Sequence, residues 1–289
     1  MQSISGHPLS GTKGLDDALA RIWSLYKAHF ITLFTIPFVI FLIAQYIPEA
    51  LGLSISPDDI PSDPAMASLL LRRLMLNILT MLLLHSLAYV IIYYYILKIP
   101  EGISSIGSLA KESITRYYLT FLIVGVLLIP LFAIAAFIGI IILFIGALFT
   151  LLWALTVSLF IPPLLMSEGN LIGHSITRAF ALMHRNFWSS IGWTAVVVLI
   201  IIVVLIAGTL IIFLPFGISL ISEALAGGGL DQEALQKLNS NPIYIILSTA
   251  LSALVAPFVI LMSWTLYFRA VEKEQAETIL SDTSEDQNV

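Results

Sequence analysis

The sequence predicts an all-α polytopic membrane protein with six transmembrane helices in three hairpins, each hairpin preceded by a cytoplasmic interfacial amphipathic helix. Three observations predict it. The chain has 289 residues, 59% hydrophobic and only 11% charged, with a mean hydropathy of +1.00. An average globular domain carries about 25% charged residues, so this is not a soluble protein with a large core. The apolar residues lie in continuous runs long enough for helices of ~20 residues to cross a bilayer. A transmembrane β-barrel would instead show short alternating segments. The third observation is a recurring short polar-aromatic segment ahead of the apolar runs.

Six spans follow in order. The first is Phe30–Ile47 and the second Leu74–Leu97. The third and fourth share the run from Tyr117 to Ser167, which holds no Asp, Glu, Lys or Arg. That run turns within "FIGIIILFIG", Phe137–Gly146, where glycines flank the apolar residues. The fifth is Phe187–Phe213, with Pro215 just beyond, and the sixth Ile243–Phe268. Pro37, Pro130 and Pro257 lie inside spans one, three and six, where a missing donor kinks a helix. Pro162 and Pro163 end span four.

The basic residues orient the spans. One side receives Lys13, Arg21, Lys27, Lys98, Lys111, Arg116, Arg178, Arg185, Arg269 and Lys273; the other receives Arg72, Arg73 and Lys237. Ten against three puts both termini in the cytoplasm, and the expected location is a bacterial cytoplasmic (inner) membrane. The start of the chain does not read as a secretory signal, because Asp16 and Asp17 stand where its apolar core would be. The tail, 269–289, reads as polar and cytoplasmic, helical at first and then disordered. The outer loops are acidic and rich in turn residues, with Gly227–Gly229 a flexible joint and "LDQEALQKLN" a short helix.

The segment before span one, "GLDDALARIWSLYKAHF", returns before span five as "LIGHSITRAFALMHRNFW". A shift of 157 carries Arg21 onto Arg178, Trp23 onto Phe180, Lys27 onto His184 and Phe30 onto Phe187. A weaker copy, "SIGSLAKESITRYYLTF", precedes span three at a shift of 91, although its "SITR" matches Ser175–Arg178 in a register one turn away. Leu15, Leu19, Ile22, Tyr26 and Phe30 mark one face of a helix. The chain is thus expected to be one membrane domain of three units, about 14–98, 105–166 and 171–268. Helices of this kind lie in the interface plane with the basic face toward anionic headgroups. The lipid-headgroup candidates are Arg21, Lys27, Arg178, His184 and Arg185; the competing reading is simple anchoring by positive charge.

The layout resembles the membrane domain attached to some bacterial glycerophosphodiester phosphodiesterases, and YciC-type uncharacterised inner-membrane proteins. The residues that carry the resemblance are "ALARIWSLYKAHFITLF", Ala18–Phe34, and "SITRAFALMHRNFWSSIGW", Ser175–Trp193. The resemblance implies architecture and no reaction. No long polar segment exists here to hold the soluble phosphodiesterase domain.

Span two carries a polar stripe at four-residue spacing: Asn77, Met81, His85, Tyr89 and Tyr93. Such a stripe faces a bundle interior or a wet cavity. It reads either as a seam for a substrate or proton, or as interhelical hydrogen bonding with an aromatic belt. No Asp, Glu, Lys or Arg accompanies His85, which speaks against ion-coupled transport. No metal site is expected: the chain lacks cysteine, and no two of His7, His29, His85, His174 and His184 have ligand spacing on a helix. No cofactor motif, catalytic motif or nucleic-acid signature is present. The expectation is a non-enzymatic inner-membrane protein that binds membrane lipids or a protein partner and supports envelope homeostasis. The alternative is a transporter or channel for a lipid or small amphiphile that uses the stripe.

Overall fold

A computed structural model describes the backbone of residues 6–53, 64–103, 105–141, 143–223 and 240–285. Among these residues the chain is all-α, with eight α-helices and no strand. They are α1 (Leu15–Ala28), α2 (Phe30–Ala50), α3 (Pro64–Lys98), α4 (Ile106–Ile141), α5 (Leu143–Ser167), α6 (Ile172–Arg185), α7 (Phe187–Glu223) and α8 (Pro242–Glu285). Six of them, α2, α3, α4, α5, α7 and α8, are long and apolar enough to cross a membrane. The chain is a multi-pass membrane protein. The glycine joint, the helix expected within "LDQEALQKLN" and Lys237 lie outside the described residues.

Each of the six long helices contains one of the hydrophobic runs, because a run of ~20 apolar residues has no cheaper conformation in lipid than a helix. α2 and α7 start at Phe30 and Phe187, as expected, and α4 gives way to α5 inside the Phe137–Gly146 turn. α3 and α7 exceed the expected spans by several residues. α8 runs unbroken past Phe268 into the polar tail, so the first part of that tail is an extension of the sixth span's own helix.

Two short amphipathic helices stand as separate elements. α1 and α6 have 14 residues each, and each is followed after a single residue by a long apolar helix. The intervening residues, His29 and Asn186, leave helical geometry at φ −114° and −119°. The segment before span three behaves otherwise. There the amphipathic turns and the span form one uninterrupted helix, α4, so the expected third interfacial helix is not a separate element. The position equivalent to His29 is Thr120, which is buried, and no Gly, Pro, His or Asn from Arg116 to Phe121 supplies a break.

The described chain divides into two compact units that cut across the three sequence segments. The first comprises 1–30, 89–199 and 257–289; the second comprises 31–88 and 200–256. In the first unit, α4 and α5 approach closely at small residues. A Cβ on Gly139 would collide with the backbone of Ala147, and Thr150 Oγ1 donates to the Ala135 carbonyl at 2.6 Å. Small residues of this kind let membrane helices pack by van der Waals contact. The core of that unit is aromatic: Trp264, Tyr94, Tyr267 and Phe160 are almost fully buried. In the second unit, α7 and α8 meet at Gly208, against Leu251, and α2 and α3 meet where Phe41 stacks on His85, 4.5 Å between centroids.

Candidate functional site: the polar rim of the first unit

Charged residues of the first unit lie on α1, α6, the end of α3, the start of α4 and the extension of α8. Their pairing decides which charges remain to act on another molecule.

Arg178 and Arg185 are two turns apart on α6. Both reach carboxylates on the α8 extension. Arg178 Nη1 donates to Glu274 Oε1 at 2.9 Å and its Nη2 to Glu274 Oε2. Arg185 Nε donates to Glu277 Oε2 at 2.8 Å, its Nη2 donates to the same oxygen, and its Nη1 reaches Glu274 Oε1 at 3.1 Å. Glu274 thus bridges the two arginines. Arg178 Nε also lies 3.3 Å from Glu168 Oε2, at the end of α5. Glu168 accepts a hydrogen bond from the Tyr267 hydroxyl at 3.3 Å, and His174 Nε2 lies 3.6 Å from it. Hydrogen bonding to Glu274 holds the Arg178 guanidinium above its already high pKa. These bonds tie α6 to α5 and to the tail of α8. The carboxylates therefore occupy the two arginines that the sequence offered as lipid ligands.

Arg21 is similarly engaged. Its Nε donates to Asp17 Oδ1 at 3.0 Å, and its Nη1 donates to the Ser10 carbonyl at 2.8 Å. The hydrogen bond from Arg21 holds the Asp17 carboxyl below its usual pKa. Arg21 thereby pins the segment ahead of α1. Buried His7 fixes the same segment: its Nδ1 accepts from the Leu9 N–H at 3.2 Å and its Nε2 donates to the Ile96 carbonyl at 3.0 Å. The ring packs on Trp264 and Phe268, and burial lowers its pKa. Glu272 Oε1 accepts from the Gly11 N–H at 2.7 Å.

His184 joins an aromatic group rather than a charged one. Its Nδ1 meets the Phe180 carbonyl at 2.8 Å, and its ring lies near Trp153, Phe180 and Phe187. Lys27 remains exposed, its ammonium 5.7 Å from the centre of the Trp23 ring.

Arg269 lies at the end of the apolar part of α8. Its guanidinium carbon is 4.0 Å from the Trp193 ring centre, and its Nη1 donates to Ser189 Oγ at 2.6 Å. No carboxylate pairs with it among the described residues. Sequence reading counted Arg269 only as an orienting charge. Trp193 is 76 positions away and Ser189 is 80, so only the fold brings the three together.

The polar stripe of α3 falls into both units. In the second, Asn77 Nδ2 donates to the Leu53 carbonyl at 3.4 Å and His85 Nδ1 meets the carbonyl of Met81, one turn back, at 2.8 Å. In the first, Tyr93 is buried and its carbonyl accepts the Trp264 indole N–H at 3.2 Å, while Tyr89 lies one turn earlier, half-buried. These bonds are local or made to backbone. Among the described residues, no three of His, Asp and Glu converge as metal ligands.

No protein-family model, curated protein or solved structure matches this chain.

Proposed function

We propose that the protein is a non-enzymatic, multi-pass protein of a bacterial cytoplasmic membrane that binds anionic phospholipid headgroups at its cytoplasmic rim, in the service of envelope homeostasis. The observation that carries this reading is Arg269: a half-buried guanidinium with no carboxylate, held over an indole and beside a hydroxyl at the end of an apolar helix. A cation at that level attracts a lipid phosphate, and its fork of N–H groups suits phosphate oxygens. Lys27 over Trp23 offers a second, more exposed cation. Trp188, 75% exposed at the start of α7, suits the headgroup level of a bilayer.

Ten Lys and Arg residues against three support cytoplasmic termini. The matching length of α1 and α6, and the single residue after each, support a duplicated interfacial-helix unit. The layout resembles that of the glycerophosphodiester phosphodiesterase membrane domain. Transport through the α3 stripe is the weaker reading, because Asn77 and His85 spend their bonds on nearby backbone.

The test is lipid retention by the purified full chain, read by native mass spectrometry in mixed phosphatidylglycerol and phosphatidylcholine. Arg269→Gln should lower retention of the anionic lipid about tenfold, as expected for loss of a charge-assisted hydrogen bond. Arg185→Gln, which removes a cation already paired with Glu274 and Glu277, should leave retention nearly unchanged.

A further inference from the structure

The extension of α8 is held against α6 by charge rather than by packing. None of residues 272–279 is buried, so apolar contact does not keep this stretch in place. Its ties to α6 are Glu274 on Arg178 and Arg185, and Glu277 on Arg185. All four side chains are partly exposed, and pairs of that kind are weak and screened by salt. The charges are also segregated along the chain. From Leu171 to Trp188 there are Arg178 and Arg185 and no Asp or Glu. From 270 to 289 there is one basic residue, Lys273, against Glu272, Glu274, Glu277, Asp282, Glu285 and Asp286. An anionic membrane surface attracts the first segment and repels the second. α6 also ends one residue before the span α7 and its exposed Trp188, which sets its arginines near headgroup level.

We propose that the α8 extension is a latch released by anionic phospholipid. In the shut state its carboxylates stand where lipid phosphates would otherwise sit. Glu274 meets Arg178 through both carboxylate oxygens, the two-pronged geometry in which a guanidinium also takes two phosphate oxygens. Exchange therefore replaces each contact with one of the same kind. Arg178 keeps its Nε on Glu168 in both states, because Glu168 belongs to the end of α5 and not to the extension. Arg178 remains the anchor of α6, while its Nη atoms and the whole of Arg185 turn to phosphate. Without its partners the extension carries uncompensated carboxylates and unwinds from its C-terminal end, as a short polar helix does without tertiary contacts. In membranes poor in anionic lipid the latch stays shut and Arg185 adds nothing to lipid retention. This latch rests on the membrane placement of the anionic-lipid reading and is independent of its Arg269 site.

The chain has no cysteine, so spin labels can be placed singly. Thr177→Cys on α6 and Ala276→Cys on the extension, both exposed, carry them in the full chain in nanodiscs. Pulsed electron resonance should read one short distance in phosphatidylcholine. A longer, broader population should appear and grow as phosphatidylglycerol is raised. Inorganic phosphate, added to phosphatidylcholine discs at matched ionic strength, should leave the distance unchanged. In parallel, native mass spectrometry of the unlabelled chain should find about fivefold more bound phosphatidylglycerol on Glu274→Gln/Glu277→Gln than on wild type. Adding Arg185→Gln to that variant should erase most of the gain. A distance that ignores phosphatidylglycerol overturns the proposal, as does opening by inorganic phosphate alone. So does a double variant that gains no lipid, or a gain that survives Arg185→Gln. Arg269→Gln should keep the distance response, so failure here and failure of the Arg269 site are separable.

Discussion

The guanidinium of Arg269 stands 4.0 Å from the Trp193 ring centre and donates to Ser189 at 2.6 Å, and no carboxylate among the described residues neutralises it. Most other arginines of the rim are paired: Arg21 with Asp17, Arg116 with Glu112, Arg178 with Glu168 and Glu274, and Arg185 with Glu274 and Glu277. An unpaired charge that is half-buried beside an apolar run is costly unless another molecule answers it. Trp193→Leu tests how the arginine is held. It removes a cation–π contact of about 0.5–2 kcal/mol while keeping the charge. Retention of anionic lipid should fall about threefold, less than for Arg269→Gln, when both are measured side by side.

Glu274 joins two arginines from one helix to the end of another. Glu274→Gln leaves Arg178 and Arg185 without their shared carboxylate, and Arg178 is only 25% exposed. The substitution should destabilise docking of the α8 extension by about 1–3 kcal/mol, between the values for surface and buried pairs. Glu277→Gln, at a more exposed pair, should cost well under 1 kcal/mol. Protease cleavage within 273–285 measures both; equal resistance in Glu274→Gln and wild type would refute the bridging role.

His7 makes the docking of the segment ahead of α1 pH-dependent. Its Nδ1 accepts a hydrogen bond, so a second proton there displaces the Leu9 N–H and places a charge against Trp264 and Phe268. Burial lowers the folded pKa below the unfolded value of 6.5, so the released segment binds more protons than the docked one. Stability is then full above about pH 6.5 and declines as pH falls below it, at up to about 1.4 kcal/mol per pH unit. Hydrogen-exchange protection of residues 8–11, corrected for intrinsic rates, should fall between pH 7 and pH 5 in wild type and stay level in His7→Phe.

Gly139 sets the separation of α4 and α5. A Cβ there collides with the Ala147 backbone, which cannot swing aside as a side chain can. Gly139→Ala should destabilise the pair by about 1–3 kcal/mol, and Gly139→Leu by more. Thermal unfolding in a fixed detergent measures it. Gly173→Ala, at a helix position with open space around it, is the control that should leave stability equal or slightly higher.

The membrane helices were legible because hydrocarbon imposes one solution on a long apolar run, and Phe30 and Phe187 begin α2 and α7 as the sequence indicates. The amphipathic helices were legible ahead of spans one and five; ahead of span three the amphipathic turns run straight into α4, because amphipathic periodicity alone does not interrupt a helix. The rim was not legible. Basic residues at the right depth made Arg178 and Arg185 look available, but Glu274 lies 96 residues from Arg178 and no local pattern links them. Arg269 counted in the sequence only as an orienting charge. It sits among Glu272, Glu274 and Glu277 in sequence, yet the turn of the helix sends those carboxylates to Gly11, Arg178 and Arg185.

The central claim is that this multi-pass protein holds anionic phospholipid through Arg269. The most direct measurement is native mass spectrometry of wild type, Arg269→Gln and Arg185→Gln released from identical mixed-lipid nanodiscs. The account predicts bound phosphatidylglycerol on wild type and Arg185→Gln, and about tenfold less on Arg269→Gln. Equal phosphatidylglycerol on all three, or none on wild type, would contradict it.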